Sequence, residues 1–145
     1  MPIKTFRGLI ADGAQDTIVL HTNDGSMGYR IKKFQGISNL PGTADAESTV
    51  MIWKVAQGSV STTTATVDFS DNTLLAVLYY VDEPSDTAGP MDGIIFDQEI
   101  FNQDIYVTHT ATTGTTAMNY YIELEQVKLD LNANTVATLK DIRNA

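Results

Sequence analysis

The chain has 145 residues, 43% of them hydrophobic, and a formal net charge of −9. This length can bury a core without crosslinks, so we expect a single domain over residues 1–145. The absence of cysteine excludes disulfides, thiolate metal sites and cysteine nucleophiles. The acidic balance argues against non-specific nucleic-acid binding, which needs a basic surface. A charged N-terminal segment and the lack of a long apolar run predict a soluble chain that is neither exported nor bound to a membrane.

The N-terminal part of the chain is typical of short strands separated by turns. Ile3 to Ile10 predicts a first strand, and Asp12-Gly13 a turn that uses the positive φ of glycine. Gln15 to His21 predicts a strand covered on both faces, because its apolar residues are consecutive. Asn23-Asp24-Gly25 is a strong turn signal before a strand from Gly28 to Phe34, so these two strands are predicted to form a β-hairpin.

The middle of the chain continues the β pattern. Glu47 to Val55 predicts a strand, and Trp53 within it is interpreted as a core or interface anchor because no second Trp is near enough in sequence to build a stacking platform. The threonine-rich stretch from Thr64 to Phe69 predicts an edge strand. The most apolar run, Asn72 to Val81, favours a buried strand over a helix, because it is short and apolar all round. Asp82 to Gly93, rich in Pro and Gly, predicts an exposed loop.

The last third of the chain predicts a second hairpin after a strand from Ile94 to Phe101. Its strands are Asp104 to Thr110 and Met118 to Leu131, and the small polar residues of 111–117 join them. Within the last strand, apolar and acidic residues alternate: Tyr120, Ile122 and Leu124 against Tyr121, Glu123 and Glu125. Beyond Glu125 the alternation slips, since Val127, Leu129 and Leu131 share the parity of the glutamates. A bulge near Gln126, or a covering surface such as another subunit, would repair the slip.

These elements together predict a mainly β fold. We expect one antiparallel β-sandwich or jelly-roll-like domain with a short C-terminal helix. The helix is predicted within residues 132–143, because Asn134 is a suitable N-cap and apolar residues follow at helical spacing. A helix this short has to dock on the sheet or on a neighbour.

The charges are unevenly distributed along the chain. No Lys or Arg lies between Lys54 and Lys128, whereas Asp and Glu recur through that interval, which we call the acidic block. Two interpretations stay open: a solvated acidic face, or pairing of the basic flanks of one copy with the acidic block of another. The predicted interface residues are Trp53, Glu123, Glu125, Val127, Leu129, Leu131, Arg30 and Lys32.

The sequence carries little that predicts catalysis. Only His21 and His109 could act as neutral-pH bases, and each is interpreted as a structural strand histidine. No phosphate-binding or metalloprotease motif is present, so we predict neither enzymatic activity nor a cofactor. Paired acids from distant strands, as in glycoside hydrolysis, stay a weak alternative. Calcium is the one cofactor left open, although no cluster has the spacing of a helix-loop-helix calcium site. The clusters are Asp12/Asp16, Asn23/Asp24 and Asp82/Glu83/Asp86.

Three stretches, Gln15 to Ile31, Ile100 to His109 and Asn119 to Glu125, together resemble small β-rich virion structural proteins of marine tailed bacteriophages. The segment from Thr135 to Arg143 fits the same resemblance. It implies a non-enzymatic particle component, made in the host cytoplasm and located in the virion, and it transfers no residue roles.

The leading hypothesis is a homo-oligomeric capsid decoration or cement protein. Its partners would be further copies of itself and other virion proteins, the major capsid protein first among them. A tail, fibre or head-to-tail component is the first alternative. The second is a carbohydrate-binding β-sandwich that uses Trp53 or surface tyrosines, with or without calcium.

Overall fold

The computed structural model describes residues 2–22, 26–42, 45–58, 60, 66–83, 86–87, 91–96 and 99–129. These residues form β-strands joined by turns and loops. The strands are β1 (Ile3–Ile10), β2 (Gln15–Ile18), β3 (Met27–Ser38), β4 (Ala46–Trp53), β5 (Leu74–Glu83), β6 (Asp86–Thr87), β7 (Met91–Asp92), β8 (Ile94–Ile95), β9 (Ile105–Thr113) and β10 (Met118–Lys128). Within these ranges the chain contains no helix, and therefore none long and apolar enough to cross a membrane. The predicted C-terminal helix at 132–143 lies outside the described residues.

The strands are arranged in two antiparallel sheets. The first sheet has the order β1-β10-β3-β7, and the second has the order β2-β9-β4-β5-β6, with β8 also paired to β5. One hydrophobic core draws on the inner faces of both sheets, for example Ile122 and Leu124 of β10 with Val50 and Ile52 of β4. The prediction of a mainly β, antiparallel, sandwich-like fold is confirmed.

The alternation read from the sequence decides which side of each strand is buried. In β10 the side chains of Ile122 and Leu124 are fully buried, while Glu123 and Glu125, which alternate with them, are only half-buried. Tyr120 reaches across the edge of the sandwich, where its hydroxyl donates a hydrogen bond to Asp16 Oδ2 of β2 at 2.9 Å. The two sheets are therefore linked by a polar contact as well as by the core.

Both predicted hairpins are wrong. The strands flanking Asn23-Asp24-Gly25 lie in different sheets, since β2 pairs with β9 and β3 pairs with β10. The same holds for the second hairpin, because β9 pairs with β4 and β10 pairs with β1 and β3. A short polar connection can turn back within a sheet or arch over to the facing sheet. A strand with one apolar face can bury that face in a hairpin or in an arch. In an arch, the apolar faces of the two connected strands also pack against each other.

The bulge predicted near Gln126 is also wrong. The register of β10 with β3 is regular from Leu124 to Lys128, and it shifts between Glu123 and Leu124, where Lys32 of β3 is the extra residue. Beyond the bulge, Leu129 and Ile100 approach each other over Gly28, where an added Cβ would lie 2.9 Å from Ile100 Cγ2 and 3.2 Å from Leu129 Cδ1. This chain itself therefore partly covers the end of β10.

The remaining predicted elements have mixed outcomes. The strands at β1, β4 and β5 are confirmed, including the choice of strand over helix for the apolar run. From Ile94 to Phe101 only Ile94–Ile95 is a strand, and Phe101 forms a single bridge to Tyr29. The predicted loop 82–93 contains the end of β5 together with β6 and β7. Residues 66–69 are not a strand, and the rest of the predicted edge strand lies outside the described residues.

Candidate functional site

The outer face of the first sheet is a surface formed by three adjacent strands. We define the outer face by the side chains that alternate away from the core on three adjacent strands. They are Ile3, Thr5, Arg7 and Leu9 on β1; Asn119, Tyr121, Glu123 and Glu125 on β10; and Arg30, Lys33, Gln35 and Ile37 on β3. The strand register arranges them in rows across the sheet, so residues far apart in sequence become neighbours.

One end of the outer face forms an open groove of about 580 Å³. Six side chains line it, namely Arg7, Leu9, Gln35, Ile37, Asn119 and Tyr121. Its floor is the backbone of Gly8, Tyr120 and Gly36, which the register places side by side on three strands. The two glycines are required here because the space on their inner side is occupied. An added Cβ would lie 2.9 Å from the Tyr120 hydroxyl at Gly8 and 2.3 Å from Leu78 Cδ2 at Gly36.

The groove combines two rows of different character. One row holds Arg7, Tyr121 and Gln35, which supply a guanidinium, an aromatic ring and an amide. The second row holds Leu9, Asn119 and Ile37, and Leu9 is 54% exposed. Aromatic and Arg side chains beside exposed aliphatic ones are typical of surfaces that bind other molecules.

Next to the groove, Glu123 and Glu125 each accept hydrogen bonds from neighbouring side chains of the same chain. The Tyr121 hydroxyl donates a hydrogen bond to Glu123 Oε2 at 2.8 Å, and this hydrogen bond raises the pKa of Tyr121. Arg30 Nε donates to Glu125 Oε1 at 2.9 Å, and its Nη2 donates to the same oxygen. This side-chain hydrogen bonding lowers the pKa of Glu125. The negative charge of Glu125 on β10 is therefore balanced by Arg30 of the neighbouring strand β3.

The structure separates the predicted interface residues. Glu123, Glu125 and Arg30 lie on the outer face beside the groove, and Lys32 is exposed at the bulge. Val127 and Leu129 are half-buried beyond them, and Leu131 lies outside the described residues.

Trp53 lies elsewhere, on the second sheet. It is 6% exposed in a small cluster with Met51, Leu74 and Val77, and its Nε1 donates to Thr108 Oγ1 at 2.9 Å. This burial leaves it little surface to offer another molecule.

None of the residues that line the groove is among the interface residues predicted from the sequence. Arg7 and Leu9 share a parity on β1, as do Gln35 and Ile37 on β3, so strand alternation would have placed each pair on one face. The register that brings these pairs to either side of Asn119 is not visible in the sequence.

The acidic block does not form one surface. Glu99 is ion-paired with the buried Lys54, and Asp104 is bound to His21. Asp82 is buried, and its Oδ2 accepts the Gly42 N–H at 2.8 Å. The pairing between copies proposed from the sequence therefore cannot draw freely on these groups, because they have partners in the same chain.

The two histidines hold separate structural positions. His21 follows β2, and its Nδ1 lies 2.7 Å from Asp104 Oδ1, which also accepts the N–H groups of Leu20 and His21. Partial burial opposes ionisation of Asp104, but these hydrogen bonds outweigh it and lower the pKa of this carboxyl. β2 ends at Ile18, three residues before the predicted end. Val19 is 63% exposed and β2 is a terminal strand of its sheet, so the prediction of a strand covered on both faces is wrong. His109 is fully buried in β9, where its Nδ1 donates to the Ile10 carbonyl at 3.1 Å and its Nε2 has no hydrogen-bond partner among the described residues.

Burial of His109 predicts loss of stability in mild acid. Desolvation lowers the pKa of His109 in the folded chain, although the Ile10 carbonyl partly opposes this. The unfolded chain takes up a proton at His109 near the ordinary pKa of about 6.5, and the folded chain takes it up only at a lower pH. The free energy of unfolding therefore falls as pH drops below about 6.5. We expect His109 to contribute a slope of up to about 1.4 kcal/mol per pH unit. Urea unfolding between pH 7 and 5 would measure it, and an equal slope in His109→Gln would contradict the assignment.

The described residues contain no group of three or more His, Asp or Glu side chains placed to hold a metal ion. Of the calcium clusters considered from the sequence, Asp12 accepts the Ala111 N–H at 2.8 Å and Asp16 accepts the Tyr120 hydroxyl. The side chains of Asn23, Asp24, Glu83 and Asp86 lie outside the described part of the chain.

Neither a scan against protein-family models nor a search of curated proteins finds a match for this chain. The groove and its surroundings are therefore interpreted from their own residues.

Proposed function

We propose that this chain is a non-enzymatic virion structural protein, a capsid decoration or cement protein that assembles on a phage head through its outer face. The observation that carries the proposal is the open groove on an exposed sheet face, with Arg7 and Tyr121 beside the exposed Leu9. The resemblance of the three sequence stretches supplies the class of protein, and the groove supplies a surface suited to repeated protein contacts.

The chemistry of the groove suits a protein partner such as the major capsid protein. Arg7 makes no ion pair among the described residues, so its guanidinium is free to bind a carboxylate of the partner. Leu9 and Tyr121 offer apolar area, which gives a contact its affinity once water is excluded. A decoration protein repeats such a contact many times over a shell, so weak individual sites add up through avidity.

The position in the particle follows from copy number. Quantitative mass spectrometry of purified virions of the encoding phage would give the number of copies relative to the major capsid protein. We expect hundreds of copies. About six or twelve would favour the alternative of a tail, fibre or head-to-tail component, and absence from the particles would refute a virion role.

A double substitution in the groove tests the contact surface. Arg7→Ala with Tyr121→Ala is expected to weaken binding to particles lacking this protein by about tenfold or more, because it removes a guanidinium and an aromatic ring from the contact. Co-sedimentation with such particles would measure binding. The matched control is Tyr79→Ala on the second sheet, where Tyr79 is 49% exposed and its hydroxyl lies 3.4 Å from Glu47 Oε2. Equal binding by the double variant and the control would contradict the assignment.

A carbohydrate-binding module is the second candidate. The row of Arg7, Tyr121 and Gln35, with Asn119 beside it, offers the aromatic and planar polar groups that sugars use. Binding on a glycan array that is lost in Tyr121→Ala would favour this function. Trp53 cannot supply the platform considered from the sequence, because it is buried.

A further inference from the structure

We infer that β1 is the strand through which two copies of this chain pair, edge to edge, to form one continuous sheet. β1 ends the first sheet, and among the described residues its only strand partner is β10. The other terminal strands of the two sheets are shorter, with four residues in β2 and two each in β6 and β7. β1 has eight, and a long open edge is a template for pairing with another chain.

The hydrogen-bond pattern shows which groups β1 presents at this edge. Gln126 N–H donates to the Pro2 carbonyl at 2.9 Å, so Pro2 faces β10. Antiparallel pairing alternates, so Lys4, Phe6 and Gly8 also direct their backbone groups to β10. The N–H and C=O groups of Ile3, Thr5, Arg7 and Leu9 therefore point away from the sheet.

The sequence of β1 suits a second copy of itself. Antiparallel pairing about a two-fold axis at Phe6 places Ile3 opposite Leu9 and Thr5 opposite Arg7 of the other copy, and outward-facing backbone groups meet one another. Ile3 and Leu9 are 50% and 54% exposed, so each would cover the other. An axis at Arg7 would oppose two guanidinium groups, and an axis at Thr5 would leave Leu9 unpaired. The axis at Phe6 uses the whole strand without opposing like charges.

Lys4, the other cation of β1, is compatible with this register. Lys4 is opposite Gly8 of the second copy, and its Nζ lies 5.9 Å from the centre of the Phe6 ring and 6.0 Å from that of Tyr29. No cation therefore faces another across the pair of strands.

Pairing would also change the groove. Arg7 and Leu9 form its wall on the β1 side, and in the paired state Thr5 and Ile3 of the second copy lie beside them. The two grooves then lie on one outer face that continues through both copies. This inference does not depend on the virion role, because the purified chain alone tests it.

A proline at the open edge tests the pairing. Thr5→Pro removes an N–H that points away from β10, so it spares the intramolecular ladder and removes a hydrogen bond between copies. Thr5→Val is the matched control, since it keeps the N–H and the strand preference. By light scattering at about 100 µM we expect dimers for the parent chain and for Thr5→Val, and monomers for Thr5→Pro. A monomeric parent chain would overturn the inference, and so would a folded Thr5→Pro variant that stays dimeric.

Cysteine crosslinking tests the register, and this test does not depend on whether Thr5→Pro folds. The parent chain has no cysteine, so introduced thiols form only the designed bond. Thr5→Cys and Arg7→Cys chains, mixed and oxidised, bring thiols to opposed positions with Cα atoms about 5.5 Å apart, within disulfide range. In either variant alone the thiols are diagonal at about 7–8 Å and too far apart. We expect crosslinked dimers from the mixture only, and no crosslink in the mixture would overturn this pairing.

Discussion

A Lys54→Ala variant is expected to unfold with a free energy about 3–5 kcal/mol below that of the parent chain. The Lys54 side chain is 2% exposed and is ion-paired with Glu99, whose side chain is 16% exposed. Removing the ammonium leaves the Glu99 carboxylate partly buried without this counter-charge. Urea unfolding at pH 7 would measure the loss.

Two further variants separate the charge effect from simple loss of side-chain contacts. Lys54→Met with Glu99→Leu removes both charges and is expected to lose less stability than Lys54→Ala, because neither charge of this pair is left without the other. Arg30→Ala is the surface control. Its pair with Glu125 is more accessible, with 33% of the Arg30 side chain exposed, and its loss should cost about 1 kcal/mol or less. Equal losses at Lys54 and Arg30 would contradict the role given to burial.

A Gly36→Val variant is expected to be destabilised by about 3 kcal/mol, at the upper end of the usual cost of overpacking a core. Gly36 lies in β3, and the space on its inner side is occupied. An added Cβ would lie 2.3 Å from Leu78 Cδ2 and 3.1 Å from the Asn119 carbonyl oxygen. Leu78 is 1% exposed and has little room to move, so the valine methyls would separate the two sheets or displace β10.

Gly58→Val is the matched control for this substitution. Apart from its chain neighbours, no atom of the described residues lies within 4 Å of a Cβ added at Gly58, so the free energy of unfolding of this variant should be within about 0.5 kcal/mol of that of the parent chain. Gly36→Ala should fall between the two valine variants. Thermal and urea unfolding would rank all three, and a Gly36→Val variant as stable as Gly58→Val would show that the sheets adjust freely at this point.

The Gly36 substitution also connects stability to the candidate site. Gly36 forms part of the groove floor beside Tyr120, and its backbone lies between the side chains of Gln35 and Ile37. A change that moves β3 away from β10 would therefore alter the groove as well as the core. Binding tests on the outer face are better made with side chains that do not face the core, such as Arg7 and Tyr121.

The sequence by itself determined local properties of this protein. The alternation in β10 correctly predicted that Tyr120, Ile122 and Leu124 face the core and that Glu123 and Glu125 do not, because side chains of a strand alternate between its two faces. The consecutive apolar residues of β5 predicted a buried strand, since they suit a strand covered on both faces. The mainly β fold follows from these local patterns. The position of Glu123 and Glu125 on the outer face follows from the same patterns.

Only the tertiary structure decided which strands are neighbours. Both hairpin predictions failed because a short polar turn fits a return within one sheet and an arch between two. The ion pairs of Lys54 with Glu99 and of Arg30 with Glu125 join residues 45 and 95 positions apart, so no local pattern could have paired them. The groove has the same origin, because strand register brings Arg7, Gln35 and Asn119 together. Register depends on which apolar faces bury each other across the whole chain, and that choice is made by long-range packing.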